Sequence, residues 1–540
     1  MTGLPTRIAS IADRWPKGLA LLLGLISATG FAPLNRWPLT LLALAGWTLP
    51  VARSPRGTRA FGIGWGFGVG HFALGLNWIA TAFTYQAAMP AWLGWIAVVL
   101  LSLYLAVYPA LTAWGAWLVR RWGLSATRLA APSYVLALAG LWTLTEWLRS
   151  WVFTGFAWNP LGAVAIGVAE PAQWIGTYGL SGLVIIVTAI CVLPFFQRGT
   201  AKMPGETPRE KQRLHQLGLG AVVAAVMVLA YLEPFLLSAQ PLSTGPIPIT
   251  VVQPNVGQQD KWEGEKASAN FAKLARLTTP RVDAPRLILW PEAAIPDYLE
   301  TGYPSVYYDR SPAEARARLT DLMNPDDVML LGALKLEFDR FGEAVGARNA
   351  VMTVHADGTL GPRYDKAHLV PYGEYLPMRP LLSAIGLSRL APGDLDFWPG
   401  PGPHTLDLGR FGRAGLQICY EIIFSGQVVD RAHRPDFIFN PSNDAWFGSW
   451  GPPQHLAQAR LRAIEEGLPV IRSTPTGISA VIDARGRIVA SIPMHEAGRI
   501  DTVISRDHAP TLFSRLGNML PVGFALLLLA AAIAFRRRGR

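Results

Sequence analysis

Cysteine is nearly absent from this chain, with only Cys191 and Cys419 among 540 residues. Two such distant thiols form no disulfide framework and no paired zinc spacing. The nine histidines include no HExxH pair, and there is no GxSxG elbow and no GxxxxGK[ST] loop. Those absences remove metalloprotease, serine-hydrolase and P-loop nucleotide chemistry, so neither a metal nor a cofactor is expected. Charge is scarce too, at 16% of residues against 51% hydrophobic, a balance foreign to an ordinary soluble enzyme.

The missing charge is localised. No Asp, Glu, Lys or Arg occurs between Arg59 and Arg120, enough for two membrane spans. Further charge-free stretches lie at 18–35, 37–52, 129–145, 171–197, 214–232 and 516–535. They predict a polytopic α-helical membrane protein of about eight spans, each of roughly 20 residues. The first stretch follows Arg7, Arg14 and Lys17 as a signal peptide would, but the many spans behind it favour an uncleaved anchor.

Every second connecting segment is basic. The N-tail, 52–59 and 120–128 hold three basic residues each, 198–213 holds five and the C-tail four. Those 18 meet only Asp13, Glu206 and Glu210, so these segments carry +15 and the remainder of a +11 chain carries −4. This is the positive-inside pattern, and it puts those segments in the cytoplasm. A nucleic-acid-binding surface, the other reading of +11, would need the soluble part to be basic.

Three parts follow: a membrane domain at 1–240 with about seven helices, an outside domain at 245–507, and a last span at 516–535 with a basic cytoplasmic tail. The outside domain holds one cysteine, Cys419, so it cannot form an internal disulfide, and a lone thiol there points to chemistry. It reads as alternating strands and helices. Strand-like runs lie at 248–256, 286–295, 327–336, 349–358, 412–421 and 435–444, a helix at 455–467 and a hairpin at 477–493. Polar residues close several strands, which is where α/β sheets build their sites. Glu292 follows "LILWP", Lys366 lies in "YDKAHLVPYGEY", and Cys419 closes "GLQIC".

A cysteine nucleophile needs a base for its proton and a cation or donor for the oxyanion on the attacked carbonyl. Glutamate serves as base when burial raises its pKa, and lysine supplies the charge. Glu292, Lys366 and Cys419 meet these demands if the three strand ends converge.

The motifs "LWPEAAIP", "YDKAHLVPYGEYLP", "ICYEIIF" and "SNDAWFG" together resemble the carbon–nitrogen hydrolase (nitrilase) superfamily with its Glu-Lys-Cys triad. With the membrane spans added, the chain resembles the apolipoprotein N-acyltransferase family over nearly its whole length. The resemblance implies an αββα sandwich set between the seventh and eighth spans, on the periplasmic side of the bacterial inner membrane. It implies ping-pong transfer of an acyl chain from a phospholipid, through a Cys419 thioester, to the N-terminal diacylglyceryl-cysteine of apolipoproteins. Glu292 would be the base and Lys366 the oxyanion partner. The partners are then phospholipid, diacylated apolipoproteins and the bilayer, with no nucleic acid, and nothing requires more than a monomer.

Around the triad, Glu374 in "YGEY" resembles the superfamily's second glutamate, with a structural salt bridge as the alternative. Tyr420 and Glu421 belong to the turn that shapes the pocket. Trp262, Trp446 and Glu465 match positions that the family uses near substrate, and each fits core packing equally well. Asn443 and Asp444 read as turn residues, and His368 and His455 as structural ones. The apolar segment 376–390 suits a lid dipping into the membrane, or a helix packed on the core. Fifteen of the 20 tryptophans precede residue 180, as interfacial anchors would, and Glu146 and Arg149 are spaced to pair. A membrane-tethered amidase acting on a small soluble amide is the competing enzyme, and a ligand-binding transporter or scaffold the competing class.

Overall fold

The computed structural model of the protein describes residues 14–85, 90–121, 132–196, 245–261, 264–384, 395–506 and 508–538. Trp262, the apolar stretch 214–232 and residues 385–390 of the expected lid lie outside them. The chain divides into two compact units: Met1–Asn77, Trp95–Pro241 and Leu516–Arg540 in one, Trp78–Gly94 and Leu242–Arg515 in the other.

The first unit is helical. Helices Pro16–Ala28, Trp37–Ala52, Gly57–Gly75, Pro132–Arg149, Ala172–Phe196 and Met519–Arg538 coincide with the charge-free stretches, as does the pair Leu93–Leu105 and Val107–Val119. Among the described residues, Leu93–Val119 and Ala172–Ala189 are long and apolar enough to cross a membrane. Three other apolar helices, Pro16–Ala28, Trp37–Ala52 and Met519–Phe535, are shorter.

Helix Gly57–Gly75 has close neighbours on two faces. A Cβ at Gly70 would fall 2.1 Å from Leu21 O, while one at Gly68 would fall 2.6 Å from Ala106 Cα. Gly66 and Gly70 therefore meet one neighbour, and Gly64 and Gly68 the other. Small residues four apart let helix backbones approach without a hydrophobic drive, the packing that lipid surroundings favour. Glu146 and Arg149 pair as expected, at 3.9 Å. Leu161 N–H donates to Glu146 Oε1 at 2.8 Å, and Arg149 Nη1 donates to Trp158 O at 2.8 Å.

The second unit holds two six-stranded sheets. The first runs β12 (Gly498–Ile504), β1 (Ile247–Gln253), β2 (Leu287–Leu289), β3 (Val328–Phe338), β4 (Ala344–His355), β5 (Tyr364–Asp365). The second runs β11 (Ile488–Ile492), β10 (Ser479–Ile482), β9 (Val470–Ser473), β8 (Phe437–Pro441), β7 (Arg413–Leu416), β6 (Thr405–Asp407). Strands β1–β3 are parallel in one sheet and β7–β9 in the other.

These central strands are buried on both faces, so they read as unbroken apolar runs such as "VMLLGAL". Val252, Ile288, Met329, Leu331 and Met352 pack with Leu274 of helix Gly264–Thr278 and Leu319 of helix Pro312–Thr320. On the inner side the sheets are pinned by polar contacts. Ser473 Oγ donates to Val252 O at 2.8 Å, and Gln253 Oε1 accepts from Ser479 N–H at 3.0 Å.

This is the nitrilase-like αββα sandwich that the motifs imply. Parallel strands carry their C-terminal ends to one edge, so the loops after β2 and β7 can place Glu292 and Cys419 together.

Candidate active site

Cys419 does not extend its strand. β7 stops at Leu416, and Cys419 opens a 3₁₀ turn, Cys419–Ile423, with φ = +51°. A left-handed conformation is uncommon outside glycine, and such residues collect at functional sites. Ala293, directly after Glu292, has φ = +46°. The chain thus bends sharply at both positions and lifts each side chain off its sheet.

Lys366, 1% exposed, follows β5 and lies between two carboxylates. Its Nζ is 2.9 Å from Glu374 Oε1 and 3.9 Å from Glu292 Oε1. Asn349 of β4 bridges the same pair, donating from Nδ2 to Glu292 Oε1 at 2.6 Å and to Glu374 Oε1 at 3.2 Å. Val370 N–H occupies Glu374 Oε2 at 2.8 Å. Glu292 Oε2 is buried and has no hydrogen-bond partner among the described residues. A buried carboxylate oxygen without a donor is costly, and it is also the natural acceptor for an incoming proton.

Burial pushes the Cys419 thiol well above its ordinary pKa, and the Glu292 charge adds to this. Lys366 and the Asn443 backbone N–H oppose the rise. The resting sulfur is therefore a thiol that needs a base. For Lys366, burial alone would favour the neutral amine, but Glu374, Glu292 and Cys419 outweigh it and hold the ammonium form. The Glu292 and Lys366 charges both act on Cys419.

Glu421, costly in an apolar run, is met by four donors. Its carboxylate accepts from Ile418 N–H at 2.7 Å, Ala367 N–H at 2.8 Å, His368 N–H at 3.0 Å and Tyr364 Oη at 3.0 Å. Those donors flank Lys366 on one side and Cys419 on the other, so Glu421 ties the two loops together. Burial raises its pKa to about 7 despite them.

Tyr420 is buried and packs beside the stacked rings of His368 and Phe424. Trp446 is half-buried with Tyr85 edge-on at 5.6 Å, and its neighbour Phe447 meets Trp78 at 4.7 Å. Glu465 accepts from Ser425 Oγ at 2.7 Å and pairs with Arg462 at 2.7 Å, anchoring helix Gly451–Glu466 beneath the segment after the nucleophile turn. Met378 and Leu381, in the described part of the expected lid, are exposed, and helix Arg379–Ala384 buries no residue. Leu376, at the start of the same segment, is buried.

Two residues of the site were not legible in the sequence. Asn349 sits in a run otherwise typical of a buried strand. Lys261 donates from Nζ to Glu292 O at 2.8 Å, and burial lowers its pKa to about 8. Its one signal is a lysine soon after β1, at the end of the short helix Gln258–Lys261.

Among the described residues, no cluster of three or more His, Cys, Asp or Glu could hold a metal ion. The domain that holds this buried thiol, open carboxylate oxygen and ammonium group is a carbon–nitrogen hydrolase domain: that family model matches residues 249–509. A second model, the apolipoprotein N-acyltransferase N-terminal domain, matches residues 23–190. The apolipoprotein N-acyltransferase of Rhodopseudomonas palustris is 34% identical over 555 residues, covering 99% of this chain and 98% of the relative. That of Bradyrhizobium diazoefficiens is 34% identical, covering 97% and 95%. That of Caulobacter vibrioides is 35% identical, covering 96% and 94%. The chain belongs to the apolipoprotein N-acyltransferase family and is an acyltransferase.

Proposed function

We propose that the protein transfers an acyl chain from a membrane phospholipid to the N-terminal diacylglyceryl-cysteine of apolipoproteins, in two steps at Cys419. In the first, Glu292 takes the thiol proton while Sγ attacks the ester carbonyl, and Lys366 neutralises the oxyanion. Collapse expels the lysophospholipid alkoxide, which recovers the proton from Glu292 and leaves the acyl group as a thioester. In the second, the acceptor's α-amine attacks that thioester. Glu292 takes the amine proton and returns it to the departing thiolate, and an amide remains. Glu374 and Asn349 hold Lys366 and Glu292 at their separation, and Glu421 holds the two loops together.

The single observation that carries this reading is the open, buried Glu292 Oε2 held beside the Lys366 ammonium, with the buried Cys419 thiol after β7. The charge pattern supports a multi-pass protein of the bacterial inner membrane, about eight spans in all, with residues 245–507 on the periplasmic side. A monomer suffices, since every residue invoked comes from one chain.

Purified protein incubated with phospholipid alone should gain one acyl mass by intact mass spectrometry. Cys419→Ala should not, and a diacylated lipopeptide should discharge the adduct. No adduct on folded wild type, or one that persists in Cys419→Ala, removes the thioester mechanism and makes the soluble-amide hydrolase the reading to pursue.

A further inference from the structure

Behind the nucleophile turn lies a buried network that none of the steps above uses. His455, on helix Gly451–Glu466, has no exposed surface. Its Nε2 is 3.0 Å from Cys419 O and its Nδ1 is 2.9 Å from Asp444 Oδ1. A carbonyl oxygen and a carboxylate oxygen only accept, so both ring nitrogens donate. His455 therefore sits as an imidazolium, which burial and Arg472 disfavour and the Asp444 charge supports. Asp444, just after β8, receives Arg472 Nη2 of β9 on its other oxygen at 2.8 Å. Arg472 also donates to Asn440 Oδ1, and the Asn440 amide donates to Gln417 O and, at 3.4 Å, to Cys419 O. Side chains from β8 and one helix thus meet at the Cys419 carbonyl, with Arg472 of β9 holding Asn440 and Asp444 behind them. No spare room surrounds them: a Cβ at Gly477 would fall 2.5 Å from Asp444 Cβ.

The placement matters because Cys419 pays for its conformation. A non-glycine residue in the left-handed region is strained and persists only when its surroundings impose it. Two donors on the Cys419 carbonyl fix the plane of that peptide, and with it the direction in which Sγ points.

We propose that His455, clamped by Asp444 and Arg472, is a positioning residue for the nucleophile: by holding the Cys419 carbonyl it aims Sγ at the site shared by Glu292 and Lys366. This rests on Cys419 being the nucleophile. His455 touches neither substrate nor the reacting atoms, so its loss slows acylation without weakening phospholipid binding.

The test compares His455→Gln with His455→Asn in the full-length protein, by the rate of acyl-adduct formation against phospholipid concentration. The glutamine amide reaches where Nε2 stood and keeps a donor on Cys419 O. The asparagine amide reaches only where Nδ1 stood and keeps the contact to Asp444. His455→Asn should slow acylation at saturating phospholipid about tenfold or more with the half-saturating concentration unchanged, and His455→Gln should stay within about threefold of wild type. A group that only filled the cavity and satisfied Asp444 predicts the reverse order. Asn equal to or faster than Gln, or a change confined to the half-saturating concentration, overturns the proposal. Should neither variant fold, Asp444→Asn keeps the shape and removes the charge that clamps His455. A wild-type acylation rate there is equally fatal. Failure of folded wild type to form any adduct is separate: it removes the nucleophile itself, and this inference with it.

Discussion

Lys366 joins Glu374 and Glu292 on one side and Cys419 on the other, so its removal should be felt at the sulfur before any substrate binds. It is the cation that lowers the Cys419 pKa against burial and Glu292. In Lys366→Met that pKa rises further, and the thiolate fraction at a given pH falls. Alkylation of Cys419 by iodoacetamide at pH 8 should then slow about tenfold or more, since each factor of ten in thiolate costs one pKa unit. Wild-type alkylation should still be climbing at pH 9, because the thiol titrates well above its ordinary range. A wild-type rate that levels off near pH 7 would mean the resting sulfur is already a thiolate, and Glu292 would then have no proton to take. At this scale Glu292, Lys366, Cys419 and Glu374 were legible because their neighbours form recognisable motifs. Asn349, Lys261 and His455 were not, since a lone amide, amine or imidazole in an apolar segment carries no signal of what it faces.

Between elements, the position of Glu292 depends on a glycine across the sheet. A Cβ at Gly332 of β3 would lie 2.3 Å from Ala293 N and 2.6 Å from Glu292 Cα. Gly332 also accepts from Ala294 N–H at 2.7 Å and donates to Pro291 O at 3.2 Å, so it holds the loop that carries the base. Gly332→Ala should push Glu292 from the site and reduce acyl transfer by about tenfold or more, a typical result of misplacing a catalytic group by an ångström. The test is the ratio of two rates: acyl transfer falls, while simple alkylation of Cys419 changes by less than about threefold. Equal loss of both would mean general damage to the sandwich rather than displacement of the base. The strand runs that frame this loop were readable from their apolar continuity, although the expected strand at 286–295 shrinks to Leu287–Leu289 because the chain must leave the sheet early to present Glu292.

For the molecule as a whole, the alternating +15 and −4 make a topological statement that is independent of the site. In a background without the native cysteines, Val282→Cys, exposed on the large domain, should react with a membrane-impermeant maleimide in intact spheroplasts. Lys202→Cys, in the most basic connecting segment, should react only after lysis. The opposite pattern would place the domain in the cytoplasm, away from the lipoproteins it is proposed to acylate. This much could be read from the sequence alone: charge distribution argues an orientation, apolar runs mark candidate spans and buried strands, and four motifs in order mark the family, because each is a property of neighbouring residues. Only the tertiary structure decided that Glu421 binds the Lys366 loop to the Cys419 turn, that Asn349 spaces two glutamates, and that His455 and Asp444 meet behind the nucleophile. Those are contacts between residues separated along the chain by 11 to 57 positions, from Asp444–His455 to Asn349–Glu292. Their energy arises only when the sheets pack and water is gone, so no local pattern in the sequence records them.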